Sequence, residues 1–430
     1  MIKIIGGGLA GVEVANFLAN RKIPVTIYEM RPTKYTEVHQ TDLLGELVCS
    51  NSLRSNDINT AVGLLKEEMR LFHSLILKAA EVSKIEGGTS LMVDRVKFSN
   101  FITNSIKNNP YIKIINEEVT NLNLDELTVI ATGPLTSKGL VDELLKLNDS
   151  DTLNFFDAVA PIIEFDSINL DICYFKDRYS DDGGTYLNCP MTKEEYDTFY
   201  SELINAERHA PKDFEKEIFE ACMPIEVMAE RGYQTPLFGP LKPVGLEVGN
   251  NRPYAVVQLR PDDFSRKMYN MVGFQTSLKH PEQTRIIRLI PGLENANILR
   301  YGVIHRNTYL NSPKILTRGF QFKDYPNLFL VGQISGVEGY VESAASGIAA
   351  AINIYNQIVN KEPLYLPLES MIGSLDSYVS SYNSNFVPMN ANFGIIKEIN
   401  KKMKRKEKRA MYGKVSIEAL NKFRKENPWI

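Results

Sequence analysis

"IKIIGGGLAGVEVANFLANRKIPVTIYEM", residues 2–30, carries the decisive pattern of this chain. "IKII" reads as a buried strand, "GGGLAG" as a turn, "VEVANFLAN" as a helix with apolar residues at helical spacing, and "IPVTIYEM" (23–30) as a second β-rich run. Strand, glycine turn, helix and strand in that order form the setting in which G-x-G-x-x-G binds a dinucleotide. Gly6 permits the tight turn, Gly8 lets backbone approach a pyrophosphate, and Gly11 lets the helix pack closely on the strand. Gly7, Leu9 and Ala10 complete the turn, and the helix N-terminus favours negative charge there. Glu29, 18 residues after Gly11, is placed to accept hydrogen bonds from an adenosine ribose.

The fingerprint alone leaves FAD and NAD open. "LTVIATGP" (127–134) is an apolar strand running into Thr132 and Gly133, where a second backbone segment can approach a nucleotide. "NLFLVGQISGVEGYVESAASGIAAAINIYNQIV" (327–359) reads as strand, a turn through Gly332 and Gln333, and a long helix starting around Gly336–Val337. That helix would aim its positive end at an anionic ligand such as a flavin ring. Three strand–glycine segments suit a permanently held FAD better than a diffusing nicotinamide. The alternative is that the last two are ordinary joints of a doubly wound sheet.

Between residues 155 and 315 the texture changes to prolines and short runs such as "AVAPIIEF", "ICYFKDRY", "TYLNCPM", "YAVVQLR" and "YNMVGFQT", which read as antiparallel strands. One helix interrupts them, opening at Thr192 with a capping box, and "KDFEKEIFEACM" continues helically towards Cys222. The expected fold is α/β. A Rossmann-like, doubly wound FAD-binding domain, discontinuous in sequence (1–154 and 316–396), carries an inserted substrate-side α+β domain (155–315) and a basic, helical C-terminal tail (397–430).

The chain has 430 residues, 43% hydrophobic and 23% charged, the balance of a soluble globular protein. No stretch approaches the roughly 20 uninterrupted apolar residues of a membrane span. The first strand begins at once, so a cytoplasmic protein is expected. Residues 397–430 hold 12 basic and 4 acidic side chains, a net of +8, and the remainder hold 37 and 48, a net of −11. Such a tail is a solvated helix face or a footprint for a polyanion. The cysteines stand at 49, 173, 189 and 222. No pair has zinc-site spacing and a reducing compartment disfavours disulfides, so no metal is expected. Each thiol remains either core filler or nucleophile.

"GGGLAGVE", "YEMRP", "ELVCSNSLRS", "ATGPLTS", "CMPIEVMA", "FGPLKPVGL", "RPYAVVQLR", "YGVIHRNTYLNSP" and "GVEGYVESAASG" together resemble the folate- and FAD-dependent tRNA uridine C5-methyltransferases, the TrmFO family, more distantly related to GidA-like flavoproteins. The resemblance runs in order to about residue 398. It implies FAD as cofactor and methylenetetrahydrofolate as carbon donor, with NADH or NADPH recharging the flavin. The implied substrate is a tRNA, at uridine 54 of the T-loop; ribosomal RNA is the alternative target, and a non-catalytic FAD-containing RNA-binding protein the alternative class. Uracil C5 attacks an electrophilic carbon only after a nucleophile adds at C6, and a thiolate can both add and leave. By resemblance Cys222 is that nucleophile ahead of Cys49, although Ala221 stands where the family usually has glycine; Cys49, the other candidate, would otherwise be the base or the shield of the adduct. Tyr340 would stack on the pterin or simply pack on its helix. Arg54, Arg231, Arg260 and Arg306 would meet RNA phosphate or folate glutamate, with a surface salt bridge as the alternative for each. His39 and His305 read as structural, with a proton shuttle as the alternative.

Overall fold

In the computed structural model the described residues are 2–85, 89–147, 152–178, 184–209, 223–249, 252–399 and 403–430; the side chains of 152–158 and 304–306 lie outside the description. Five short strands form a parallel sheet in the order Leu328–Leu330, Thr128–Ile130, Ile2–Ile5, Val25–Tyr28, Ile112–Ile115. The strand that opens the sequence is therefore central, and chain connectivity departs from it in both directions. Such a switch point leaves a crevice beyond the carboxyl ends of the strands.

Two helices close the sheet's face. Leu9–Ala19 buries nearly every residue, and it packs against Tyr340–Ile358, whose small residues Ala344, Ala345, Gly347, Ala349, Ala350 and Ala351 admit close approach. A methyl group on Gly347 would stand 2.5 Å from the Ala10 carbonyl oxygen, so only glycine permits this spacing. The helix begins at Tyr340, later than Gly336–Val337, because Gly332, Gly336 and Gly339 all hold positive φ and break the helical path.

A second hydrophobic core belongs to a six-stranded antiparallel sheet in the order Tyr174–Phe175, Leu187–Met191, Ala255–Pro261, Met268–Met271, Ile162–Glu164, Ile298–Arg300. Each of the five runs read as strands contributes one. Helix Lys193–Asn205 covers this core through Tyr196, Phe199 and Leu203, and the Thr192–Glu195 capping box is present. The strands Thr152–Ala158 and Ile304–Leu310 pair antiparallel as a ribbon between the two sheets' sequences. A small sheet of Ser52–Ser55, Ser90–Val93 and Lys84–Ile85 has no counterpart in the sequence reading.

The basic tail contains a docked helix, Arg405–Glu426. Tyr412, Ser416, Leu420 and Phe423 are buried at helical spacing, and the Ser416 hydroxyl donates to Glu68. Beyond the helix, Trp429 stacks on Tyr355 with ring centroids 4.3 Å apart.

Candidate active site

The crevice at the switch point is a cleft of about 1030 Å³, counting the space open to solvent. It is lined by the glycine turn Gly6–Ala10, by Glu29–Arg31 with Glu117–Val119, by Ala131–Ser137, and by Gly332, Gln333, Tyr340 and Ser343. A fit to FAD can be tested on the glycines. A side chain on Gly8 would meet only the Ala131 carbonyl oxygen, at 4.0 Å, and one on Gly133 would meet nothing within 4 Å. Both therefore border open space that a ligand's phosphates can enter. Gly8 also caps helix Leu9–Ala19, whose first turn carries no acidic side chain to oppose an anion.

Glu29 accepts the Gly7 N–H at 2.9 Å and the Arg31 Nε–H at 2.9 Å. Burial pushes its carboxyl up, but the hydrogen bond and charge of Arg31 outweigh burial and hold it below the usual carboxylate range. An ionised Glu29 at this edge is a good acceptor for ribose hydroxyls. Arg31, itself buried, also binds Glu46, fixing the following loop over the cleft. The "YEMRP" stretch contained this arginine, yet nothing in its spacing distinguished it from a surface cation. His39 bonds the Thr36 hydroxyl at 2.6 Å and is pushed down to about 4 by burial and by the Arg31 charge, which keeps it neutral near pH 7.

The other expected cofactor residues divide in two. Leu9, Ala10, Thr132, Gly133, Gly332 and Gln333 line the cleft with Gly6, Gly7, Gly8 and Glu29. Gly11, Gly336 and Val337 do not. A side chain on Gly11 would collide with the Gly6 carbonyl, one on Gly336 with the Phe386 ring, and Val337 is wholly buried. These three shape the walls from behind.

Cys49 lies at the seam between the two sheets, partly buried. Its N–H donates to the Tyr340 hydroxyl at 2.7 Å, and the Ser50 N–H donates to the same oxygen at 3.1 Å. Tyr340 thus links the cleft and the cysteine loop. Burial pushes its phenol up, so it stays protonated. Cys222 and the preceding stretch expected to be helical fall outside the described residues, as does the side chain of Arg306, whose backbone pairs with Phe156. Arg54 pairs with the buried Glu342 in the first turn of the Tyr340–Ile358 helix. Arg260 is not on the surface: it is 9% exposed and donates to Asn51 and Ser50. Cys173 and Cys189 are buried, with Cys173 donating to the Cys189 sulfur at 3.3 Å. Among the described residues no His, Cys, Asp and Glu cluster could hold a metal, and no helix is long and apolar enough to cross a membrane.

Comparison with known proteins agrees with this geometry. The profile of the family described as glucose inhibited division protein A matches residues 1–362. The solved structure of Aquifex aeolicus GidA in its form II crystal superposes with a TM-score of 0.67 at 17% identity, covering 89% of this chain and 68% of that one, a likeness of fold. The class is thus GidA-like: a nucleotide-binding parallel sheet joined to an antiparallel unit. Two curated relatives are far closer. The methylenetetrahydrofolate--tRNA-(uracil-5-)-methyltransferase TrmFO of Acholeplasma laidlawii is 55% identical over 98% of this chain and 99% of its own length. That of Bacillus subtilis is 53% identical over 99% and 98%. The chain belongs to the TrmFO family.

Proposed function

We propose that this protein methylates C5 of a uridine in tRNA, with methylenetetrahydrofolate as carbon donor and FAD in the cleft. The observation that carries the reading is the adjacency of two features: Tyr340 lines the glycine-rich cleft, and its hydroxyl holds the backbone of Cys49. Near-full-length identity to relatives named for this reaction supports it. The finer assignments are the T-loop uridine at position 54 as target, NADH or NADPH as reductant, and the cytoplasm as location.

Bound FAD, once reduced by NADH or NADPH, would supply the two electrons that turn a transferred methylene into a methyl group. The chain's own residues bind and orient. Amides of Gly8–Ala10, at the start of the helix, would take the pyrophosphate, Glu29 would take the ribose, and Thr132–Gly133 and Gly332–Gln333 border the remaining length. The Cys222 thiolate adds to uracil C6, electron density moves to C5, and C5 bonds the methylene carbon of the folate. A deprotonated Cys49 accepts the C5 proton as the carbon's bond to the folate nitrogen breaks and tetrahydrofolate leaves. The two-electron reduction makes that carbon a methyl group as the C6–S bond breaks and the ring double bond returns.

The test offers purified protein with NADH and methylenetetrahydrofolate, labelled on the transferable carbon, two transcripts: a whole tRNA and fragments of large ribosomal RNA. Label in the tRNA, lost when the T-loop uridine is changed and lost again in Cys222→Ala, is expected. Label in ribosomal RNA alone would overturn the substrate, and label in neither would overturn the activity.

A further inference from the structure

Five consecutive residues, Leu47–Asn51, run along the seam, and three arginines distant in sequence converge on them. Arg95, at the start of helix Arg95–Lys107, donates to the Leu47 carbonyl at 2.9 Å and the Cys49 carbonyl at 3.3 Å. Arg300, at the end of strand Ile298–Arg300, donates to the Val48 carbonyl at 3.1 Å. Arg260, from strand Ala255–Pro261, donates to the Ser50 hydroxyl at 2.7 Å and the Asn51 side-chain oxygen at 3.1 Å. Asn51 returns a bond to the Pro261 carbonyl at 2.9 Å, and Arg95 pairs with Asp262 at 3.0 Å.

Three guanidiniums against the single carboxylate of Asp262 are far more charge than a loop needs for packing. Bringing them together has an electrostatic cost: burial and the neighbouring Arg95 charge both push the Arg300 guanidinium down. The return is geometric. Every residue of the segment is fixed by an arginine, and its two central N–H groups are fixed by Tyr340. Two of the three arginines belong to the antiparallel sheet, so that sheet fixes the residues on either side of the thiol, Val48 before it and Ser50 and Asn51 after it.

We infer that Arg95, Arg260 and Arg300 are positioning residues for Cys49, which they hold through the backbone and side chains of Leu47–Asn51 together with the Tyr340 hydroxyl. The inference rests on the proposed role of Cys49 in methyl transfer, and the experiment separates the two. Arg300→Met keeps the apolar stem and removes the fork, Arg300→Lys keeps a donor, and Tyr340→Phe keeps the ring and removes the hydroxyl. All are made in the full chain with FAD bound. Hydrogen–deuterium exchange of the peptide covering 47–51 reads the segment itself, whatever the activity.

Arg300→Met and Tyr340→Phe should each accelerate that exchange at least about tenfold, the loss expected for a charge-assisted or buried hydrogen bond, while peptides of the parallel sheet stay unchanged. In the labelled-carbon assay, kcat should fall about tenfold with KM for tRNA within about twofold, and Arg300→Lys should recover a large part of kcat. The double variant should lose less than the product of the single losses, because both groups hold one segment. Unchanged exchange in 47–51 would overturn the inference, as would a uniform rise across the protein. Altered exchange with unaltered kcat would leave the segment held but would remove Cys49 positioning from catalysis. An inactive wild-type protein whose Arg300→Met exchange still rises would instead overturn the proposed function.

Discussion

In the cleft, contact with a ligand falls mainly to backbone, glycines and a helix terminus, joined by the ionised Glu29 carboxylate. At the seam the work falls to side chains, with three arginines, an aspartate and a phenol fixing five residues. The first arrangement is rigid because the sheet and its helices cannot shift, and it tolerates a ligand of fixed shape. The second joins two separate cores, so its strength depends on charges contributed from opposite sides.

That contrast can be broken in order of expected effect. Arg95→Met strands Asp262, which is 4% exposed, at the seam, and should cost about 4 kcal/mol, read as a lower urea midpoint. A pH effect of about 2 kcal/mol from each of two buried carboxylates should come from the parallel-sheet unit. Glu13 and Glu68 are fully buried, and burial raises each carboxyl from 4.5 to about 7 despite their hydrogen bonds. Folded-state pKa values above the unfolded ones mean that the folded protein binds more protons, so stability is greatest in mild acid. It should fall as pH rises from about 5 to about 8, and Glu13→Gln should flatten the slope by about half.

Next, Gly347→Ala should cost about 2 kcal/mol through collision with Ala10, with bound FAD lost on heating at a lower temperature. Gly8→Val sharpens the distinction. A Cβ there meets open space, so stability should fall by only about 1 kcal/mol, the cost of a poorer helix N-cap, while FAD affinity falls about a hundredfold, measured by fluorescence titration. Last, Lys404, Arg405 and Lys406 are exposed on the C-terminal helix. Replacing all three with Gln should leave the urea midpoint unchanged and reduce the salt slope of tRNA binding by about 2. Deleting the tail would not isolate this effect, because Tyr412, Leu420 and Phe423 belong to the main core.

The cleft was legible because its signal is local. Gly6, Gly8 and Gly11 are read within one turn of chain, and the apolar runs on either side settle strand from helix. The seam was not legible, because its partners lie far apart in sequence: Arg260 is 209 residues from Asn51 and Arg300 is 252 from Val48. "YAVVQLR" does alternate. Ala255, Val257 and Leu259 face the antiparallel core, which leaves Arg260 on the other face. What covers that face is a question of tertiary structure, and the arginine looked like a surface charge for want of it. The tail misled for a related reason. Its charge density hid the buried spacing of Tyr412, Ser416, Leu420 and Phe423, which recurs every three or four residues but includes a serine and so leaves only a faint apolar stripe.

The nesting of one sheet's sequence inside the other has a consequence for synthesis. As the chain leaves the ribosome, the antiparallel sheet has all six strands once Arg300 has emerged, whereas the parallel sheet still waits for Leu328–Leu330 and for the helix that covers it. The half that starts first finishes last. The insert can therefore offer Arg260 and Arg300 as a ready-made template, on which the Cys49 segment settles before Tyr340 arrives to complete its hold.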